Sequence, residues 1–177
     1  MTTASANNII DKRDNLSTEI TRGWDIIKSE NVVFRGYKRN YDMKKQLENI
    51  IDMCKERIEV KLQIMAINLG LDDVNDLPKD NIYPSILELS ELKEIDRHLG
   101  YVPTLDPAIV KKYGKKKMKK TEVLTRGFIS NLRGNLNIRI NALNKELKDY
   151  NDNHSLKNTQ RKNAKVIDMS FKDKAAA

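Results

Sequence analysis

A single cysteine, Cys54, rules out a disulfide within the chain, and its apolar neighbours at helical spacing assign it to a core in a reducing compartment. The two histidines, His98 and His154, lie far from Cys54 in sequence and lack the spacing of a zinc site or of a Cys–His nucleophile pair. Seven glycines fall in neither G-x-G-x-x-G nor G-x-x-x-x-G-K order, so there is no dinucleotide fingerprint and no Walker loop. Asp72 and Asp73 sit in a polar turn without the ligand order of a calcium loop. No constellation for catalysis emerges, and the expectation is a non-enzyme without cofactor or metal.

Aromatic residues make up only 6% of the chain, which leaves aliphatic packing as the cement and suits helices better than a sandwich or barrel. No run approaches the roughly 20 apolar residues of a membrane helix. The opening MTTASANN lacks the basic and then apolar regions of a signal peptide. The expectation is a soluble chain in the cytoplasm or another reduced intracellular compartment, without membrane insertion. Heavy use of lysine, asparagine and isoleucine matches AT-rich coding sequence, as in a virus or low-GC microbe.

What the chain has is helical periodicity and positive charge. At 177 residues it has room for one modest domain. Residues 1–12 are small and polar and read as disordered, and a helical domain is expected over 13–150. Leu16, Ile20, Trp24 and Ile27 predict a first helix over 15–29, which Gly23 weakens by up to about 1 kcal/mol. NVVFRGY reads as an extended segment without a strand partner.

The strongest stripe is Leu47, Ile51, Cys54, Ile58, Leu62, Met65 and Leu69, which repeats every eleven residues and predicts a nearly straight helix over 42–69. Ile50, Ile64 and Ile67 widen that face, as contact with more than one neighbour requires. Gly70 followed by Leu71 reads as a Schellman cap, and Gly100 followed by Tyr101 as a repeat of it. Between them, Pro84 opens a helix that turns Ile86, Leu89, Leu92, Ile95 and Leu99 inward and leaves His98 at its end, facing solvent or the terminal carbonyls. Asp106 and Pro107 start a short helix that stops at Gly114.

Thr121 is the expected cap of a last long helix reaching Tyr150, with Leu124, Phe128, Leu132, Leu136, Ile140, Leu143 and Leu147 as its stripe. Gly127 and Gly134 either admit a close neighbour or soften that helix. Residues 151–177 read as a flexible basic tail ending in an appended KAAA. The fold class is therefore all-α: a small helical bundle built on two long antiparallel helices with a shorter helix between them.

One segment carries concentrated charge. The chain bears +8 overall, and residues 111–120 read KKYGKKKMKK. Lys111, Lys112, Lys115, Lys116, Lys117, Lys119 and Lys120 can all reach phosphates, Tyr113 can stack on a base, and Arg126, Arg133 and Lys145 extend the charge along the next helix. A second cluster, Lys38, Arg39, Lys44 and Lys45, precedes the main helix and would join the first if the bundle set them side by side. In the tail, Val166, Ile167, Met169 and Phe171 form a short apolar motif of the kind that docks in a partner's groove.

These features point to a nucleic-acid-associated accessory protein, viral or phage, acting in replication, recombination, transcription or packaging through a lysine-rich corner. The alternative is a helical structural or interaction module, a virion component or an inhibitor of a host factor, assembling as a homo-oligomer or with a protein partner. An acidic protein or anionic lipid is a further candidate for the lysines, and simple solvation of an exposed turn is the plain reading of them.

Overall fold

The computed structural model describes residues 6–114 and 117–154. Lys115, Lys116 and the tail motif of Val166, Ile167, Met169 and Phe171 lie outside the described residues. Five α-helices and one two-stranded sheet follow in the order α1 (Ala6–Glu30), β1 (Val32–Phe34), α2 (Met43–Asn68), α3 (Tyr83–Gly100), α4 (Pro107–Tyr113), β2 (Lys120–Glu122) and α5 (Arg126–Asn153). The all-α class is as the periodicity predicts.

The first helix is longer than its stripe. Helix begins at Ala6, so residues 6–12, expected to be disordered, form the leading turns of α1. Lys12 forms a 2.7 Å ion pair there with Glu56 of α2. Ile9 and Ile10, adjacent among small and polar residues, make no repeat of their own, which hides such a helix from a periodicity search. Gly23 explains why α1 and α2 lie close: a Cβ at that position would meet Ile50 Cγ1 at 2.8 Å and Gln46 Nε2 at 2.9 Å. The glycine expected only to weaken α1 is where α2 presses against it. Gly127 and Gly134, the candidates for close packing, have no neighbouring atom within 4 Å of an added Cβ.

Asp42 caps α2, its carboxylate accepting from the backbone N–H groups of Lys44 and Lys45. At the other end Gly70, at φ +71°, lets Leu71 N–H reach Ala66 O at 2.9 Å while Gly70 N–H reaches Ile67 O at 2.9 Å, the full Schellman pattern. Gly100 does not repeat it; it remains within α3 with ordinary backbone angles, and Tyr101 is exposed.

Inter-helix ion pairs give the directions. Arg133 binds Asp96 and Arg139 binds Glu88, each in bidentate fashion, and Ser85 Oγ donates to Glu146 at 2.6 Å. Later residues of α5 thus meet earlier residues of α3, so the two run antiparallel. Arg57 and Lys61 on α2 both reach Glu91 on α3. The shorter α3 therefore stands between the long helices α2 and α5, and the long antiparallel partner lying directly against α2 is α1.

The main core joins Ile20, Trp24 and Ile27 of α1 with Met43, Leu47, Ile50 and Cys54 of α2, Ile95 and Leu99 of α3, and Val102, Leu124 and Ile129. A second cluster, Leu89, Ile140 and Leu143, seals α3 against α5. Ile86, Leu69 and Phe128, expected to face inward, are exposed, because each lies near a helix end where no neighbour covers it. Cys54 is buried, and burial together with the Glu91 charge pushes its thiol up to about 12, which leaves it unreactive.

Buried polar groups escape the hydrophobic pattern. Arg57 and Glu91 are almost fully enclosed; the guanidinium donates to both oxygens of Glu91 and also reaches Ser17 Oγ at 3.2 Å. Burial pushes the Glu91 carboxyl up, but hydrogen bonds from Arg57 and Lys61 outweigh it and hold the group below its usual range. His98, expected at the surface, stacks on Trp24 with ring centroids 5.0 Å apart, and its Nδ1 is buried.

Removing one member of the ion pair strands the other charge, so Glu91→Ala is expected to cost about 3–5 kcal/mol in urea unfolding. For His98, burial and then the nearby Lys28 and Arg97 hold the imidazole below its usual range against the pull of Glu94 and Asp25. The unfolded state therefore takes up this proton first as pH falls. The resulting stability is complete above the ordinary histidine value and is lost as pH falls from there through the lowered folded-state value. Unfolding midpoints measured between pH 7.5 and 5.5 should fall in wild type, and more shallowly in His98→Phe; equal slopes would contradict this assignment.

Candidate nucleic-acid interface

The VVF stretch finds its partner ninety residues further along the chain. Val32 pairs with Glu122, Val33 with Thr121 and Phe34 with Lys120, antiparallel. The extended segment expected to lack a partner is thus a strand, and the lysine run leads into a strand instead of directly into a helix. Consequently Thr121 is a ladder residue, and the cap of α5 is Thr125, whose hydroxyl accepts from Phe128 N–H at 3.2 Å. Leu124, assigned to the helix stripe, is a fully buried residue of the turn between β2 and α5.

That turn is fixed by one side chain. Asn31 is completely buried at the junction of α1 and β1. Its Oδ1 accepts from Leu124 N–H at 2.7 Å and Val123 N–H at 3.3 Å, while its Nδ2 donates to Leu124 O at 2.9 Å and Pro103 O at 2.7 Å. The end of α1, the approach to α4 and the entry to α5 therefore meet on one amide, whose donor and acceptor capacity is well matched to the backbone around it.

Arg35 and Arg39 tie the segment after β1 to residues 118–121. Arg35 N–H donates to Lys119 O at 2.7 Å, and its Nε donates to Met118 O at 3.1 Å. Arg39 reaches Glu30 O, Asn31 O and Thr121 O, all at 2.9–3.0 Å. Arg39, predicted to contact phosphate, therefore also ties α1 to β2 through its Nε and Nη2. Arg133 is likewise held in its bidentate pair with Asp96. It lines a polar cleft of about 640 Å³ with Arg126, Thr104, Ser130 and Asn137.

The remaining candidates are presented outward. Lys38, Lys44, Lys45, Lys111, Lys112, Lys117, Lys119, Lys120, Arg126 and Lys145 are exposed, and none forms an ion pair with a described residue. Lys111 and Lys112 close α4, where Gly114 at φ +69° ends the helix. Tyr113 is half exposed, with the Lys112 ammonium 5.3 Å from its ring centroid. Lys44 and Lys45 open α2, and no hydrogen bond ties them to the lysine run. Lys145 is far along α5 from this corner, well beyond Arg133.

Stretches 32–41 and 107–121 contain no acidic residue, while the nearby Glu30 and Glu122 turn their carboxylates to backbone N–H groups of Asn40 and Leu105. The two stretches therefore gather positive charge, with the carboxylates of Glu30 and Glu122 at their edge. Phe34 and Arg35 were missed as site residues. Their only sequence signal is an aromatic–basic pair ending a β-branched run, which becomes informative once its strand partner is known. Among the described residues no group of three histidine, cysteine or acidic side chains could hold a metal, and no helix is long and apolar enough to cross a membrane.

No protein-family model, no curated protein and no solved structure matches this chain. The site is therefore argued from its own geometry and charge. Because Asn31 carries that geometry, Asn31→Ala is expected to leave buried donors and acceptors at Leu124 and Pro103 unpaired and to cost about 2–4 kcal/mol. Urea unfolding reads the loss, and amide hydrogen exchange should show the residues of β2 losing protection.

Proposed function

We propose that this protein is a non-enzymatic accessory factor that binds the phosphate backbone of nucleic acid through the corner formed by β1, β2 and the end of α4. The observation that carries the reading is the antiparallel pairing of 32–34 with 120–122, which gathers two acid-free basic segments on one support. Lysine ammonium groups are strongly hydrated point charges suited to sequence-independent phosphate contact. The reading thus favours a protein that coats, escorts or packages nucleic acid over one that selects a sequence, in keeping with a viral or phage role in replication, recombination, transcription or packaging.

The competing reading, a helical module assembling through apolar faces, drew on the breadth of the α2 stripe. That breadth is used within the chain, since Leu47, Ile50 and Cys54 are enclosed between α1 and α3. Apolar side chains still open to a partner include Ile67 on α2 and, beside a notch of about 290 Å³ near the turn from α2 to α3, Leu69 and Tyr83.

If all seven lysines of residues 111–120 engage phosphates on a duplex, the log–log slope of affinity against salt is expected to be about −6. Replacing Lys115, Lys116, Lys117, Lys119 and Lys120 with glutamine should weaken binding and flatten the slope to about −2. Equal, negligible binding by wild type and variant in a salt titration would refute the proposal.

A further inference from the structure

We infer that the nucleic acid taken at this corner is single-stranded, with an unstacked base laid on Phe34 and its flanking phosphates at Lys120 and the neighbouring lysines. The inference rests on the reading of the corner as a nucleic-acid site and narrows the class of ligand. Phe34 closes β1 with 65% of its surface exposed, although Trp24 only ten positions earlier is completely enclosed. The Lys120 ammonium stands 5.2 Å from the centroid of the Phe34 ring, directly across the ladder. An aromatic face and a cation therefore share one cross-strand pair.

The next turn adds a second ring. Tyr37 N–H donates to Phe34 O at 3.1 Å, and Gly36 at φ +92° supplies the left-handed residue that this reversal needs. Tyr37, half exposed, is thereby brought back toward Phe34. The hydrogen bonds from Arg35 to Lys119 O and Met118 O hold the same turn against the lysine run. The rings are thus mounted on a braced support, which reduces the ordering cost of stacking.

In a duplex the base faces are covered by neighbouring bases, so a phenyl ring reaches one only by prising a base step apart, at a cost of a few kcal/mol. Along a single strand every base offers a π-face, and stacking combined with backbone charge is the usual means of sequence-tolerant recognition. An acidic protein partner would use the lysines and leave the rings idle.

The test uses the full chain and fluorescence anisotropy with three probes of matched charge: oligo(dT) of about 16 nucleotides, a mixed-sequence duplex, and polyglutamate. Wild type is expected to bind oligo(dT) about ten-fold or more tightly than duplex. Phe34→Ala should lose about ten-fold on oligo(dT) with duplex binding and salt slope unchanged, and Phe34→Trp should retain wild-type affinity. Because Phe34 is exposed, circular dichroism should show all three proteins equally folded. Equal binding of single strand and duplex, or no loss in Phe34→Ala, would overturn the stacking inference while leaving the phosphate-binding corner intact. Preference for polyglutamate, or no binding to any probe by wild type, would overturn both.

Discussion

Everything that makes the basic corner a defined surface depends on one buried amide. A carboxamide in an apolar interior is costly unless its donors and acceptor are paired. Asn31 meets that requirement by binding the backbone at residues 103, 123 and 124, which a hydrophobic side chain could not do. The α1 helix runs into the amide through Asn31 N–H to Ile27 O at 2.9 Å, and Arg39 adds a bond to Asn31 O. With this knot in place, β1 and β2 are set in register and α5 starts at a fixed point. The ladder itself is too short to be stable alone. It inherits its order from the knot beneath it.

Around that knot the molecule divides its cations by chemistry. The guanidinium groups of Arg57, Arg133 and Arg139 form planar two-toothed pairs with carboxylates of α3, and Arg39 bridges backbone carbonyls. Their forked donors suit fixed geometry. Several lysines do form ion pairs, such as Lys12 with Glu56 and Lys61 with Glu91, but the described lysines of the corner do not. Among the described residues positive charge is thus unevenly exposed, with acidic residues of α3 paired to arginines and Lys111, Lys112, Lys117, Lys119 and Lys120 left to solvent.

The helices were legible in the sequence because their apolar stripes repeat at helical spacing, and the caps at Asp106 and Gly70 because turn chemistry is local. The β1–β2 pairing was not, since two three-residue strands ninety positions apart carry no periodicity that links them. Its absence from the sequence reading displaced the start of α5 from Thr125 to Thr121 and placed the lysines at a junction of helices. Asn31, Arg57 and Glu91 were invisible for a related reason: a buried polar residue resembles a surface one until its partners are known. Within the candidate site, Arg39 and Arg133 have backbone and carboxylate partners that the sequence could not reveal, because an engaged cation and a free one read alike.

The long separation between the two strands also sets an order of assembly. Joining residue 31 to residue 124 closes a loop whose entropic cost is about 4 kcal/mol, and that closure follows the more local docking of α1 on α2 and of α3 on α5. During synthesis the helical hairpin of α1 and α2 can form while residue 124 has yet to be added. The cationic corner is completed only once residue 124 can reach Asn31, so a chain ending before it would carry the lysines without the scaffold that aims them.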